Sequence, residues 1–131
     1  MLKIKRLAVF LITLMLIACS DNNIDLSGVY SCSKSDHIVL VKDNNNQYIG
    51  GEYWINSDGS GNPNGGPVDR IKFLKKSGDY LILPSEKNKK FYLIGNNQLK
   101  VIDVNYDGYY ENWCNKTSGS EKAKQKMQKH L

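Results

Sequence analysis

The sequence predicts an all-β fold, a small antiparallel barrel of about eight strands, and three features point to it. Short runs rich in β-branched and aromatic residues recur at turn-to-turn spacings near ten residues, which suits a sandwich or barrel rather than βαβ units. The connections are mostly tight, favouring an up-and-down order. Two adjacent glycines, Gly50 and Gly51, interrupt an aromatic run and predict a bulge or sharp bend of the kind barrel closure requires.

The chain opens with three positive charges, Lys3, Lys5 and Arg6. The twelve-residue apolar run Leu7–Ala18 follows, broken only by Thr13. A membrane-spanning helix needs about 20 residues, so the run reads as the core of a secretory signal. Its last residues, Leu16-Ile17-Ala18-Cys19, resemble the lipobox of bacterial lipoproteins. The resemblance covers about the first 21 residues. It implies cleavage before Cys19 and acylation of that cysteine. With Ser20 in the next position, it also implies sorting to the outer membrane, facing the periplasm or the cell surface. Residues 1–18 are then a signal peptide, 19–26 a lipidated tether, 27–115 the barrel domain and 116–131 a basic flexible tail.

If Cys19 is acylated, as the lipobox implies, Cys32 and Cys114 remain as an even pair in an oxidising compartment, where a disulfide is the default. A metal site is the rival reading. It is weakened by the wide separation and the lack of a CxxC or a nearby histidine pair. The two cysteines fall on the first and last expected strands, which are neighbours only if the sheet curls round on itself.

Strand one is expected at Gly28–Cys32, after the polar stretch Ser20–Leu26. His37–Lys42 is apolar and β-branched, and Asp43–Asn46 turns the chain into the aromatic run Gln47–Ile55. Val68–Lys75 and Asp79–Leu83 follow on either side of the Ser77-Gly78 turn, with Pro84 as a stop. Lys90–Ile94, Gln98–Val104 and Tyr109–Cys114 complete the set. Phe73, Leu74, Leu81, Leu83, Leu93 and Ile102 are the expected interior, bulky enough to fill a small barrel. Ser57–Pro67, with four glycines and two prolines in eleven residues, is expected to be a long flexible loop. Ser118–Leu131 has almost no apolar face. It is expected to form a disordered or frayed helical tail, exposed and mobile, that buries little.

The formal charge of +5 is unevenly placed. Residues 116–131 hold five lysines and one acid, whereas residues 19–115 hold ten basic and twelve acidic residues. The body lacks the basic face that nucleic-acid binding needs, and no nucleic-acid partner is expected.

Catalysis finds little support. The only histidines are His37 and His130, and no Gly-x-Ser-x-Gly elbow exists. A carboxylate pair such as Asp107 and Glu111 has no second layer to build a cleft around it. No cofactor and no metal are expected. A calcium alternative rests on Asp103, Asn105, Asp107 and Glu111, which match part of an EF-hand loop. The twelfth position is Cys114 instead of glutamate and flanking helices are missing, so a strand end with a Tyr-Asp-Gly turn is the favoured reading of the segment.

The candidate binding residues are the aromatics Trp54, Tyr109, Tyr110 and Trp113. Adjacent aromatics on a strand point to opposite faces, so one of each pair, Tyr53-Trp54 and Tyr109-Tyr110, is expected in the core and the other exposed or lining a mouth; exposed tyrosine and tryptophan favour protein or glycan contact. The loop Ser57–Pro67, beside Trp54 and Ile55, is a further candidate contact.

The expected function is that of a lipid-anchored binding module without catalytic activity, facing an envelope or exogenous protein. A lipobox, a small barrel and one long-range disulfide loosely resemble the membrane-bound inhibitors of C-type lysozyme. That resemblance implies a periplasmic inhibitor of a lysozyme-like hydrolase as an alternative. The family's Ser-Gly-Tyr inhibitory loop is not found in this sequence. A small-ligand carrier of lipocalin type is a third reading.

Overall fold

The computed structural model describes residues 24–56, 65–84, 86–93, 95, 97–105 and 108–131. The signal segment, Cys19 and the first part of the tether lie outside the described residues. Eight strands follow one another: β1 (Gly28–Ser31), β2 (Asp36–Asn44), β3 (Gln47–Trp54), β4 (Asp69–Ser77), β5 (Tyr80–Leu83), β6 (Glu86–Leu93), β7 (Gln98–Asn105) and β8 (Gly108–Ser118). Each pairs antiparallel with the next, and β8 returns to pair with β1, so the sheet closes into a barrel with the expected up-and-down order. No helix among the described residues is long and apolar enough to cross a membrane.

The period of two along the strands sorts the apolar residues onto two faces. Tyr30, Ile38, Leu40, Tyr48, Leu74, Leu81, Leu83, Leu99 and Cys114 fill the inside. Val29, Val39, Val41, Ile49 and Tyr53 form a second buried cluster on the outside of β1–β3. Two of the expected interior residues are corrected. Phe73 is 66% exposed, because its neighbour Leu74 takes the inward position on β4. Ile102 alternates with the inward Leu99 and Val101 and pairs with the exposed Glu111, so it faces out.

The outer cluster is covered by the helix α1 (Ser120–Met127), which packs across β1 and β2. Its residues are mostly strong helix formers, with Glu121 in the first turn and Lys124 and Lys126 in the last, as the helix dipole favours. The helical alternative for the tail is therefore the one observed, but the expectation that it buries little is corrected. Ala123 and Met127, four residues apart on one face, are both fully buried against Val29, Val39 and Val41. The strand before it also continues to Ser118, past the expected end of the barrel at residue 115.

One end of the barrel, the floor, is plugged by the entering chain. Leu26 is buried in the inner cluster, although the tether was expected to run through it. Its carbonyl accepts a hydrogen bond from the Tyr30 hydroxyl at 2.8 Å, and its N–H donates to the Tyr48 hydroxyl at 3.3 Å. Ser27 Oγ accepts from the Lys42 N–H at 2.8 Å, and Asp25 accepts from the Ser27 N–H at 2.9 Å. The opposite end, the rim, carries the β1–β2, β3–β4, β5–β6 and β7–β8 connections.

Candidate functional site

The rim is built around an irregularity in β3–β4. Gly50 pairs with Lys72 and Glu52 with Asp69, so Arg70 and Ile71 stand opposite the single residue Gly51. This is the bulge predicted at the two glycines. Arg70 takes the extra position with φ of 49°, the one non-glycine residue in the left-handed region among those described. A bulge re-aims the side chain it carries. Here it brings the Arg70 guanidinium 4.6 Å from the centre of the Trp54 ring, with Nη1 3.5 Å from the Glu52 carboxylate.

Trp54 sits at the end of β3, opposite Asp36 in register, and is 39% exposed. The Ile55 N–H donates to the Ser35 carbonyl at 2.9 Å and the Gly66 N–H to the Trp54 carbonyl at 3.0 Å, so both flanks of the β3–β4 connection are fastened to the rim. Gly65 lies directly on the Tyr53 ring with φ of 81°, where a side chain would collide. Residues 57–64, most of the predicted loop Ser57–Pro67, lie outside the described residues. Within the rim is a cavity of about 300 Å³, lined by Asp36, Glu52, Trp54 and Arg70 on one side and by Cys32, Val101 and Asn112 on the other.

Cys32 and Cys114 form a disulfide, with Cα atoms 3.9 Å apart and a sequence separation of 82. It stands just above the last β1–β8 pair, Ser31 with Asn115. Beyond it β8 has no β1 partner in register, so residues 108–113 project past the short first strand. This overhang corrects the expectation for Tyr109 and Tyr110. Both are 56% exposed, because neither face of the projecting strand is covered. In the other pair Tyr53 is buried, but on the outside of the barrel, in the cluster that α1 covers.

The four predicted aromatics therefore split. Trp54 lines the rim cavity. Tyr110 pairs with Asp103, on the same side of β8 as the cavity-lining Asn112. Trp113 and Tyr109 belong to the outer face, around Lys100. Its Nζ lies 2.7 Å from Glu111 and 5.2 Å from the Trp113 ring centre, while the Tyr109 hydroxyl donates to Glu111 at 2.9 Å. The Lys100 contact and then the Tyr109 hydroxyl hold the Glu111 carboxyl below its usual range, and the same bond to Glu111 pushes the Tyr109 phenol up.

The calcium alternative is not assembled by what is described. Asp103 and Glu111 occupy opposite faces of the β7–β8 ribbon, and Glu111 is engaged by Lys100 and Tyr109. Asn105 pairs with Gly108 as a tight turn requires, and Asp107 lies outside the described residues. Among the described residues no cluster of three or more His, Cys, Asp or Glu stands ready for a metal ion. His37 stacks on Tyr53 with ring centres 4.8 Å apart, and its Nδ1 is 3.3 Å from the Ser35 carbonyl.

Two further cavities, inside the barrel and at its floor, are small. One of about 10 Å³ lies between Leu40 and Leu74, and one of about 70 Å³ lies at the floor by Leu26. Sequence reasoning did not single out Glu52 or Arg70. The glycine pair marked the bulge, but nothing in the sequence says which side chain it re-aims. Comparison with known proteins finds no matching family, curated protein or solved structure.

Proposed function

We propose that the chain is a lipid-anchored, non-catalytic binding module of a bacterial envelope, and that the barrel rim is its contact site. The observation that carries this reading is Arg70. A non-glycine residue in the left-handed region costs about 1–3 kcal/mol and persists where its surroundings hold it, commonly at ligand clamps. The result is a polar, half-open cavity flanked by an exposed tryptophan and a guanidinium, both enriched among residues that dominate binding. The lipobox-like Leu16–Cys19 supports the anchor, and the chain enters the domain at the floor, the end opposite the rim.

Two experiments test this. Cys19→Ala should release the domain from membranes or leave the precursor uncut, because stable anchoring needs two or more acyl chains. A processed Cys19→Ala protein that still fractionates with membranes refutes the anchor. For the rim, the acylated protein is cross-linked in envelope extracts. The captured protein should be lost with Trp54→Ala or Arg70→Ala and kept with Trp113→Ala. Capture that survives both rim variants places the contact elsewhere.

The closed barrel with a disulfide bridging from the end of β1 to β8 favours a second reading, an inhibitor of a lysozyme-like hydrolase. Loss of inhibition in a lysozyme assay on substituting rim residues supports it, and no inhibition by the folded domain removes it. The carrier reading has less support, since the inside of the barrel is filled by side chains such as Tyr30, Tyr48 and Leu99.

A further inference from the structure

The helix α1 ends beside the connection that leads into β4. The His130 imidazole Nε2 donates to the Val68 carbonyl at 3.1 Å, the acceptor there being an oxygen. Between the helix end and the segment 66–68 lies an open cleft of about 470 Å³. The side chains that line it from α1 and from the 3-10 turn that follows it, Gln128–His130, are Gln125, Lys126, Gln128, Lys129 and His130. Two are ammonium groups, two are carboxamides and one is an imidazole; none is a carboxylate. The Lys126 Nζ lies 4.0 Å from the centre of the buried Tyr53 ring. Burial, and then repulsion from Lys122, hold its pKa below the ordinary lysine value.

Lysines near a helix C-terminus also complement the helix dipole. That accounts for the charge, but not for a cleft walled by it. The acidic residue adjoining the segment 66–68 in sequence is Asp69, which follows Val68. Glu121 is at the far end of the helix, 4.0 Å from Lys124. Residues 119–131 carry four lysines against one acid, while residues 19–118 hold eleven basic and twelve acidic residues, so positive charge is concentrated on this element.

We propose that this cleft binds a phosphate-bearing anion. Several donors and two point charges spread over one wall match a group with several oxygens and more than one negative charge. The phosphate of an envelope lipid headgroup and that of a soluble phosphorylated sugar share this chemistry.

The test uses the chain from Ser20 onward, which keeps every described element, with inorganic pyrophosphate as the probe in isothermal titration at low salt. Pyrophosphate should bind. Binding should weaken at least about tenfold in Lys126→Gln/Lys129→Gln and at high salt, where surface charge is screened. Lys34→Gln, in the β1–β2 connection, should change nothing. Sedimentation with phosphatidylglycerol vesicles separates the sources. Vesicle binding that pyrophosphate competes away points to a headgroup, and pyrophosphate binding without vesicle binding points to a soluble phosphorylated ligand. Absence of pyrophosphate binding overturns the proposal. So does an unchanged affinity in the double variant, or an equal loss in Lys34→Gln. If the double variant unfolds, the exposed single change Lys129→Gln is measured instead and should weaken binding severalfold; no change again overturns the proposal.

Discussion

Gly51 is the residue on which two parts of the molecule depend. A β-carbon there would collide with Val68 Cγ1 and stand 3.0 Å from Ile71 Cδ1 and 3.1 Å from Met127 Sδ. Gly51→Ala should therefore destabilise the domain by roughly 1–3 kcal/mol through overpacking. Gly50→Ala should cost less, because its closest neighbours are the terminal methyls of Leu74 and Leu40, at 3.0 and 3.3 Å. Thermal melts of the two variants compare them, and an equal or reversed order refutes the assignment. Tyr30 and Tyr48 set the alkaline limit. Burial first, and then the neighbouring Tyr48 and Asp25, raise the Tyr30 phenol well above its ordinary value, and burial raises Tyr48 as well. A raised folded pKa means stability that is intact below the unfolded value of about 10 and is lost as pH climbs beyond it. Absorbance at 295 nm should show these two tyrosines ionising only together with loss of the β circular-dichroism signal. Tyr30→Phe should cost about 1 kcal/mol at neutral pH by removing the bond to Leu26 and should make the alkaline fall shallower. Early ionisation in the folded state contradicts this.

Among the elements, α1 holds the outer cluster shut. Met127→Ala should cost about 2–5 kcal/mol, as for other large-to-small core changes. A chain ending at Ser118 should expose Val29, Val39 and Val41 and bind a hydrophobic dye, whereas an unaltered melt would show the helix to be dispensable. The strands were legible because alternation and turn chemistry are local. His37–Lys42 is a case in point, predicted as a strand and found within β2. What it also contained was less visible. Ile38 to Val41 is apolar on both faces, the mark of a strand covered on both sides, and the only covering segment available looked too polar. Two small contacts, Ala123 and Met127, suffice for the helix because Gly51 provides the socket. The early β6 start at Glu86 was missed because its Lys-rich first half has no apolar alternation. The rim site and the cleft beside the helix end were least legible. Trp54 could be named from its type, but Arg70 depends on a backbone bulge, and Lys126 and His130 on where a distant helix comes to rest. For the β3–β4 connection, removing residues 58–63 while keeping the fastened Gly65 and Gly66 should leave the melting temperature nearly unchanged, since loop length costs little. A large loss of stability would mean that those residues pack on the barrel.

At the scale of the whole molecule, closure rests on few β1–β8 pairs and one covalent bond. The Cys32–Cys114 bridge closes a loop whose ends are 82 residues apart, for which chain entropy gives about 4.5 kcal/mol. Intact mass should show two fewer hydrogens than the reduced chain, and reduction should lower the melting temperature markedly. Two freely alkylatable thiols without reductant would remove the bridge and with it much of the support for closure. The bridge also determines how the domain answers mechanical tension. A pull on the entering chain first draws Leu26 from the floor and then peels β1. Eight residues, 24–31, precede Cys32, an extension of about 27 Å at ~3.4 Å per residue. At Cys32 the load divides between two covalent routes, onward into β2 and across to β8. The first and last strands then bear it together. With the bridge reduced, the same pull would unzip the strands one after another.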